Sequence, residues 1–197
     1  MLGVRFIGES FMKLKEIVKY AAVYLGLEKV VAYIENAEFS SDQNALAAVD
    51  SLTRCANLVI NELACAFIPL KKQEEITAED GKIYYSSLSE TPLEIKNLTD
   101  ESGKTAKFSV FPEYIATDAG KFSVEYEYAP ANYGLDDTVG YSEREISARA
   151  IAYGVAAEYS MTVKSFDESV LFREKYENAL SRILYQKNSV IKGRSFL

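Results

Sequence analysis

Histidine and tryptophan are absent from the 197 residues, cysteine occurs twice and proline four times. Without histidine the chain lacks the side chain that most often serves as a general base near neutral pH and as a metal ligand. Serine–histidine–aspartate and cysteine–histidine nucleophile systems are excluded with it. Cys55 and Cys65 fall on what reads as one helix, about 15 Å apart along its axis, too far for a disulfide. Both are expected as small buried side chains on that helix's apolar face, reduced as in a cytoplasm. Positive charge is in deficit, with 22 Lys and Arg against 29 Asp and Glu and a net charge of −7, which argues against gripping nucleic acid by its phosphates. No apolar run approaches the roughly 18 residues of a membrane-spanning helix. Residues 1–11 lack the apolar stretch and small-residue cleavage site of a secretory signal, and they read as an extension ahead of a second methionine, Met12.

What is present suits a packed core and contact surfaces. Hydrophobic residues make up 48% of the chain, enough for one domain carrying an elaborated insertion. Fourteen tyrosines and ten phenylalanines supply rings that pack, the tyrosines with a polar tip as well. Leu14, Ile17, Val18, Ala21, Ala22 and Leu25 follow the spacing of an amphipathic helix that opens at Met12, and Gly26 is its stop. Residues 27–34 read as a second short helix. Ser40, Ser41 and Asp42 offer N-caps, with Gln43 placed to close a capping box from Ser40. The strongest helix spans residues 42–67, about 40 Å long. Its apolar face carries Ala45, Val49, Leu52, Ala56, Val59, Ile60 and Leu63, opposite Asp50, Arg54, Asn57 and Asn61. Pro69 prevents its continuation.

Short β-rich runs follow at residues 70–76, 82–86, 93–98, 106–111 and 121–128, with turns at Glu79-Asp80-Gly81, at residues 100–103 and at Asp118-Ala119-Gly120. The last run alternates apolar and polar residues, which places Glu125 and Glu127 on a wet face. A polar loop then leads to Tyr141. Ser142 and Glu145 form an S-x-x-E capping box that predicts a helix from Ser142 to about residue 163. In it Ala148, Ala152 and Ala156 recur at every fourth position, so a neighbouring backbone can come close. A second box, Ser165 with Glu168, opens a last helix with the stripe Phe172, Tyr176, Ala179, Leu180 and Ile183, and the two helices make a hairpin with a tight corner. The pattern predicts a single α+β domain, mainly helical. Its helical core comprises residues 12–67 and 142–187, with a β-hairpin-rich insertion, residues 68–135, between the long central helix and the C-terminal helical hairpin. Residues 188–197 form a flexible tail.

Candidate chemistry is sparse. No G-x-x-x-x-G-K-[ST] or G-x-G-x-x-G pattern occurs. Gly103-Lys104-Thr105 lacks the upstream glycine of the first and reads as a hairpin turn. Glu125, Glu127, Asp136 and Asp137 are the nearest approach to the paired carboxylates of glycoside hydrolysis, but solvated surface acids are the simpler reading. The loop at Asp136-Asp137 also lacks the acidic spacing of an EF-hand. Tyr84, Tyr85, Tyr114, Tyr126, Tyr128 and Tyr133 would suit base stacking, yet they sit among acids rather than Arg and Lys, so packing or protein contact is expected. No catalytic residue, cofactor or metal is assigned. Residues 187–197 hold Lys187, Lys192 and Arg194 with no acid. With Phe196 and Leu197 these form a candidate partner-binding segment, for an acidic partner or a neighbouring subunit, against the plain alternative of a frayed terminus.

The run Val124-Glu-Tyr-Glu-Tyr-Ala-Pro130, a polar loop, then Ser142-Glu-Arg-Glu-Ile-Ser-Ala-Arg-Ala-Ile-Ala-Tyr-Gly-Val-Ala-Ala-Glu-Tyr159, Phe166-Asp-Glu and Phe172-Arg-Glu-Lys-Tyr-Glu-Asn-Ala-Leu180 resembles the end of head-to-tail adaptor (connector) proteins of tailed bacteriophages. There a strand leading to proline precedes an Ala-rich helix, and a final helix carries a spaced Tyr and Leu. The resemblance covers residues 40–186 and is one of layout and residue type; the short leading helices of residues 1–36 depart from it. It implies a structural, non-enzymatic virion protein of the head–tail junction, made in the host cytoplasm. Copies, about twelve in that family, form a homo-oligomeric ring that docks under the portal protein, extends the DNA channel and presents a surface to the tail or the next connector protein. Terminal segments or β loops engage the portal in that family, which implies such a role for residues 188–197. Double-stranded DNA would pass without specific binding, as the acidic charge of the chain independently favours. The residues by themselves leave a second reading open, a non-catalytic viral or cytoplasmic protein-interaction module.

Overall fold

The computed structural model describes residues 11–36 and 42–188. Among them the chain is mixed helix and strand, and it divides into two compact units, Met1–Ile60 with Asn132–Leu197, and Asn61–Ala131.

The first unit is largely helical. Helix α1 (Leu14–Tyr24) buries Leu14, Ile17, Val18, Ala21 and Ala22, and Gly26 takes the left-handed conformation beyond its end at φ 68°, a position glycine adopts without the Cβ penalty. Helix α2 is Glu28–Asn36 and α3 is Gln43–Glu62. Asp42 caps α3, its Oδ1 accepting from the backbone N–H groups of Asn44 and Ala45 at 3.0 and 3.2 Å; the other cap candidates, Ser40 and Ser41, lie outside the described residues. Strand β1 (Phe11–Lys13) pairs antiparallel with β8 (Thr138–Ser142). The helical spacing from Met12 predicts neither strand. Met12 is buried in β1, and the helix begins two residues later, because the backbone of Phe11 and Lys13 is already committed to the pairing with Ser142 and Thr138.

Helices α4 (Ala148–Thr162) and α5 (Phe166–Asn188) form the expected hairpin. At its corner Lys164 holds φ at 63° while Ser165 N–H donates to the Ser160 carbonyl at 2.8 Å, closing the end of α4. The start of α4 corrects the predicted cap. Ser142 and Glu145 do bond, Glu145 Oε2 accepting from Ser142 N and Oγ at 3.0 and 3.1 Å, but they build a turn. Ser142 is the last residue of β8, so the helix must wait for Ser147, whose hydroxyl accepts from Ala150 N–H.

In the second unit a π-helical turn, Leu63–Phe67, carries an Ile68 N–H to Leu63 carbonyl bond of 2.7 Å. The wider turn changes the phase of the helix. Cys65 is exposed, contrary to the sequence expectation, because four residues after Asn61 it falls on the polar face of the helix, where its thiol donates to Asn61 Oδ1 at 3.2 Å, whereas Cys55 is buried. Six strands follow: β2 (Leu70–Ala78), β3 (Lys82–Tyr84), β4 (Pro92–Asp100), β5 (Ser109–Val110), β6 (Tyr114–Ala116) and β7 (Gly120–Tyr128). They make two antiparallel sheets, ordered β2-β7-β4 and β3-β6-β5. The β2–β7 ladder runs unbroken from Leu70 opposite Tyr128 to Ala78 opposite Gly120. At the turn into β3, Asp80 and Gly81 both have positive φ, 51° and 74°, and a Cβ on Gly81 would lie 2.7 Å from the Thr117 carbonyl oxygen. Ile83 and Ile115 of one sheet and Leu98, Phe122, Val124 and Tyr126 of the other close a shared core. The alternation of β7 is as predicted except at Glu127, which is buried: as the central strand β7 is flanked on both sides, and Lys96 reaches Glu127 at 3.1 Å.

Candidate functional site

The Ala-rich helix is buried almost all round. Ala148, Ala152 and Ala156 of α4 and Tyr176 and Leu180 of α5 are buried. Gly154 marks the closest approach, since a Cβ there would lie 2.9 Å from Val59 Cγ1 and 3.2 Å from the Tyr176 ring. Beside this contact Tyr24 stacks on Tyr153 with ring centroids 4.7 Å apart, and Phe172 lies 6.4 Å from Tyr24. Burial, followed by the neighbouring Tyr153 hydroxyl, pushes the Tyr24 phenol up to about 12. Arg149 lies over the Tyr20 ring and Lys175 over the rings of Tyr153 and Phe172. Rigid stacked rings and small residues make this a structural joint.

A polar cluster lies in the β unit and was not singled out from sequence. Lys72 Nζ donates to Ser89 Oγ, and Ser89 Oγ donates to Glu74 Oε1. The Ser89 N–H and the Tyr126 hydroxyl also donate to Glu74, each at 3.1 Å. A serine beside a lysine is the geometry of a nucleophile with its base, but that chemistry requires a neutral lysine. Burial lowers the affinity of Lys72 for its proton, yet the bond to Glu74 and the charges of Glu74 and Glu90 outweigh it and raise its pKa. Glu74 is likewise pushed up by burial but held below its ordinary value by the bonds from Ser89, Lys72 and Tyr126. An ammonium and a carboxylate sharing a hydroxyl make a clamp that ties Ser89 to β2.

The remaining sequence candidates are each held by their own neighbours. Asp136 pairs with Lys15 at 3.0 Å, and Asp137 accepts from the Gly134 N–H at 2.7 Å, so both organise their loop. Glu127 is tied to Lys96, which also pairs with Glu94. Tyr126 is fully buried, and Tyr133 accepts from the Gly140 N–H. Gly103-Lys104-Thr105 belongs to a turn in which Asp100 Oδ1 accepts from the N–H groups of Ser102 and Lys104. No group of three or more His, Cys, Asp or Glu side chains among the described residues is placed to hold a metal ion, and no helix among them is long and apolar enough to cross a membrane.

Exposed apolar side chains gather in each unit. Met161, Val163, Phe166 and Val170 stand out at the corner between α4 and α5. In the β unit Leu93, Val110 and Phe111 are exposed and, with Pro92, Ile95 and Tyr85, line an open groove of about 660 Å³. Phe111 stacks on Tyr114 at 4.9 Å, and the Tyr85 hydroxyl donates to the Phe111 carbonyl at 2.7 Å, which fixes that wall. Of the predicted partner-binding segment, Lys187 lies in the last turn of α5, while Lys192, Arg194, Phe196 and Leu197 lie outside the described residues. Among known proteins, no family model matches the chain and no curated protein matches it.

Proposed function

We propose that the chain is a non-catalytic virion protein, the subunit of a ring-shaped head-to-tail adaptor in which a helical core carries the β unit as an insertion between α3 and the hairpin of α4 and α5. The ring docks under the portal, extends the DNA channel and offers a surface to the tail. The observation that carries this is the pair of dissimilar exposed apolar patches, one at the helical corner around Phe166 and one around Leu93 and Phe111 in the β unit. A head-to-tail ring requires two different complementary surfaces on every subunit, and exposed apolar patches mark contact surfaces. The open groove described above is lined mainly by apolar side chains and lacks the convergent polar groups of an enclosed substrate pocket. The proposal is tested by the absolute mass of the purified protein, measured by light scattering over a concentration series, alone and with a candidate portal protein. A ring of about twelve copies, spontaneous or formed on the portal, is the expected outcome. A monomer or dimer indifferent to the portal would leave the simpler interaction module.

A further inference from the structure

We propose that the groove between the outer edges of β4 and β5 is the docking site for residues 189–197 of a second copy of this chain, which join the β4 edge as an added strand. The contact rests on the self-assembly proposed above and needs nothing of the portal. The groove itself is the first ground. β4 is the outermost strand of its sheet, and among the described residues only its C-terminal end is covered, by Thr105 and Ala106. Its pairing with β7 is irregular between Pro92 and Glu94 and again between Ile95 and Asn97, and Leu93 within the first irregularity is 48% exposed. Across the groove Val110 and Phe111 are 58% and 43% exposed. Natural sheets blunt an open edge bearing apolar residues, since such an edge recruits another strand.

Charge supplies the occupant. Asn61–Ala131 contains thirteen acids against seven lysines, −6 of the chain's −7, while residues 187–197 contain three cations and no acid. Glu94, which pairs with Lys96 at 2.7 Å, lines the groove, and the exposed Glu113 follows in sequence the groove residue Pro112. In extended form the tail presents Ile191, Gly193, Ser195 and Leu197 on one face and Val190, Lys192, Arg194 and Phe196 on the other. Ile191 and Leu197 can thus enter the groove while Lys192 and Arg194 meet its acidic rim, and the β-branched Val190 and Ile191 suit a strand. Tail into groove joins two different surfaces, the heterologous contact that a ring repeats.

The test uses full-length protein carrying Lys192→Glu and Arg194→Glu, whose own tail no longer competes, titrated with a fluorescent peptide of residues 187–197. Saturable binding is expected, weakening with added salt and falling about tenfold or more with Leu93→Asp or Phe111→Asp, each variant first shown by circular dichroism to keep the native unfolding midpoint. In light scattering the tail variant should lose mass relative to the native chain. A Glu94→Lys, Glu113→Lys protein should also fail to associate alone, yet associate when mixed with the tail variant. Absence of peptide binding, or binding indifferent to the groove substitutions, overturns the proposal. So does binding by a chain that stays monomeric at every concentration, which would place each tail on its own groove. A tail variant that assembles like the native chain overturns it as well while leaving the ring intact. Failure of the native chain to assemble, alone or on the portal, removes the ring, whereas the peptide titration reports on the groove by itself.

Discussion

Gly154 illustrates how much of the helical unit depends on one missing methyl group. Alanine in a helix interior is favoured over glycine by about 1 kcal/mol, whereas overpacking a rigid core costs about 1–3 kcal/mol. Val59 and Tyr176, which the new Cβ would meet, are each 1% exposed and cannot swing into solvent. The clash therefore wins, and Gly154→Ala should lower stability by about 1 kcal/mol, read as a lower urea midpoint at unchanged slope. A higher midpoint would mean that α3 and α5 yield without cost. Tyr24 gives a second test, in alkali. Its phenol, ordinarily near 10, is pushed up to about 12 first by burial, so the fold favours the neutral form. That contribution is complete below pH 10 and is lost as pH rises through about 12. Burial also carries the Cys55 thiol from 9.0 to about 11, so the loss begins near pH 9. Tyr24→Phe should flatten the decline between pH 10 and 12 in unfolding midpoints measured by circular dichroism. An equally steep decline in the variant would remove Tyr24 ionisation as its cause.

At the scale of elements, α4 separates two serines that look alike in sequence. Ser147 caps the helix through its bond from Ala150 N–H, so Ser147→Ala should cost about 1 kcal/mol. Ser142→Ala should cost less, because the Ser142 N–H keeps its bond to Glu145. Thermal midpoints of the two variants give the comparison, and a larger loss at Ser142 would return the cap to the place the spacing predicts. The same pair shows what was legible. Helices α1, α3 and α5 are written in apolar periodicity and β7 in alternation, whereas β2 and β4 are legible only as short β-rich runs bounded by turns. β1, β6 and β8 are three to five residues long, too short to carry a period, and they exist only because a partner strand pairs with them. Pairing of distant segments also moved the start of α4, an effect no local motif encodes. The exposure of Cys65 was itself legible, since four residues after Asn61 regular helical spacing already puts it on the polar face.

For the whole molecule the legible quantity is charge and the hidden one is where it sits. The composition gives −7, and only the division into units shows that nearly all of it belongs to Asn61–Ala131. The apolar patches were equally hidden, since Leu93 and Phe111 read as ordinary strand residues until the sheet order placed them at outer edges. The partition has a consequence for nucleic acid. Binding to duplex DNA draws its affinity from phosphates neutralised by Lys and Arg, and the β unit offers seven lysines already outnumbered by thirteen acids. Two of those lysines are spent on neighbours, Lys72 on Glu74 and Glu90, and Lys96 on Glu94 and Glu127. Residues 178–197 are the one stretch with three or more cations and no acid, holding Arg182, Lys187, Lys192 and Arg194, and four phosphate contacts give a slope of only about −4 in log affinity against log salt. The intact protein should therefore show no retention of a random-sequence duplex at about 0.15 M salt in anisotropy titrations, and Lys192→Glu with Arg194→Glu should change nothing there. Binding at that salt with a slope near −6 or steeper would mean that the cations of several elements are gathered onto one face and that the molecule grips DNA.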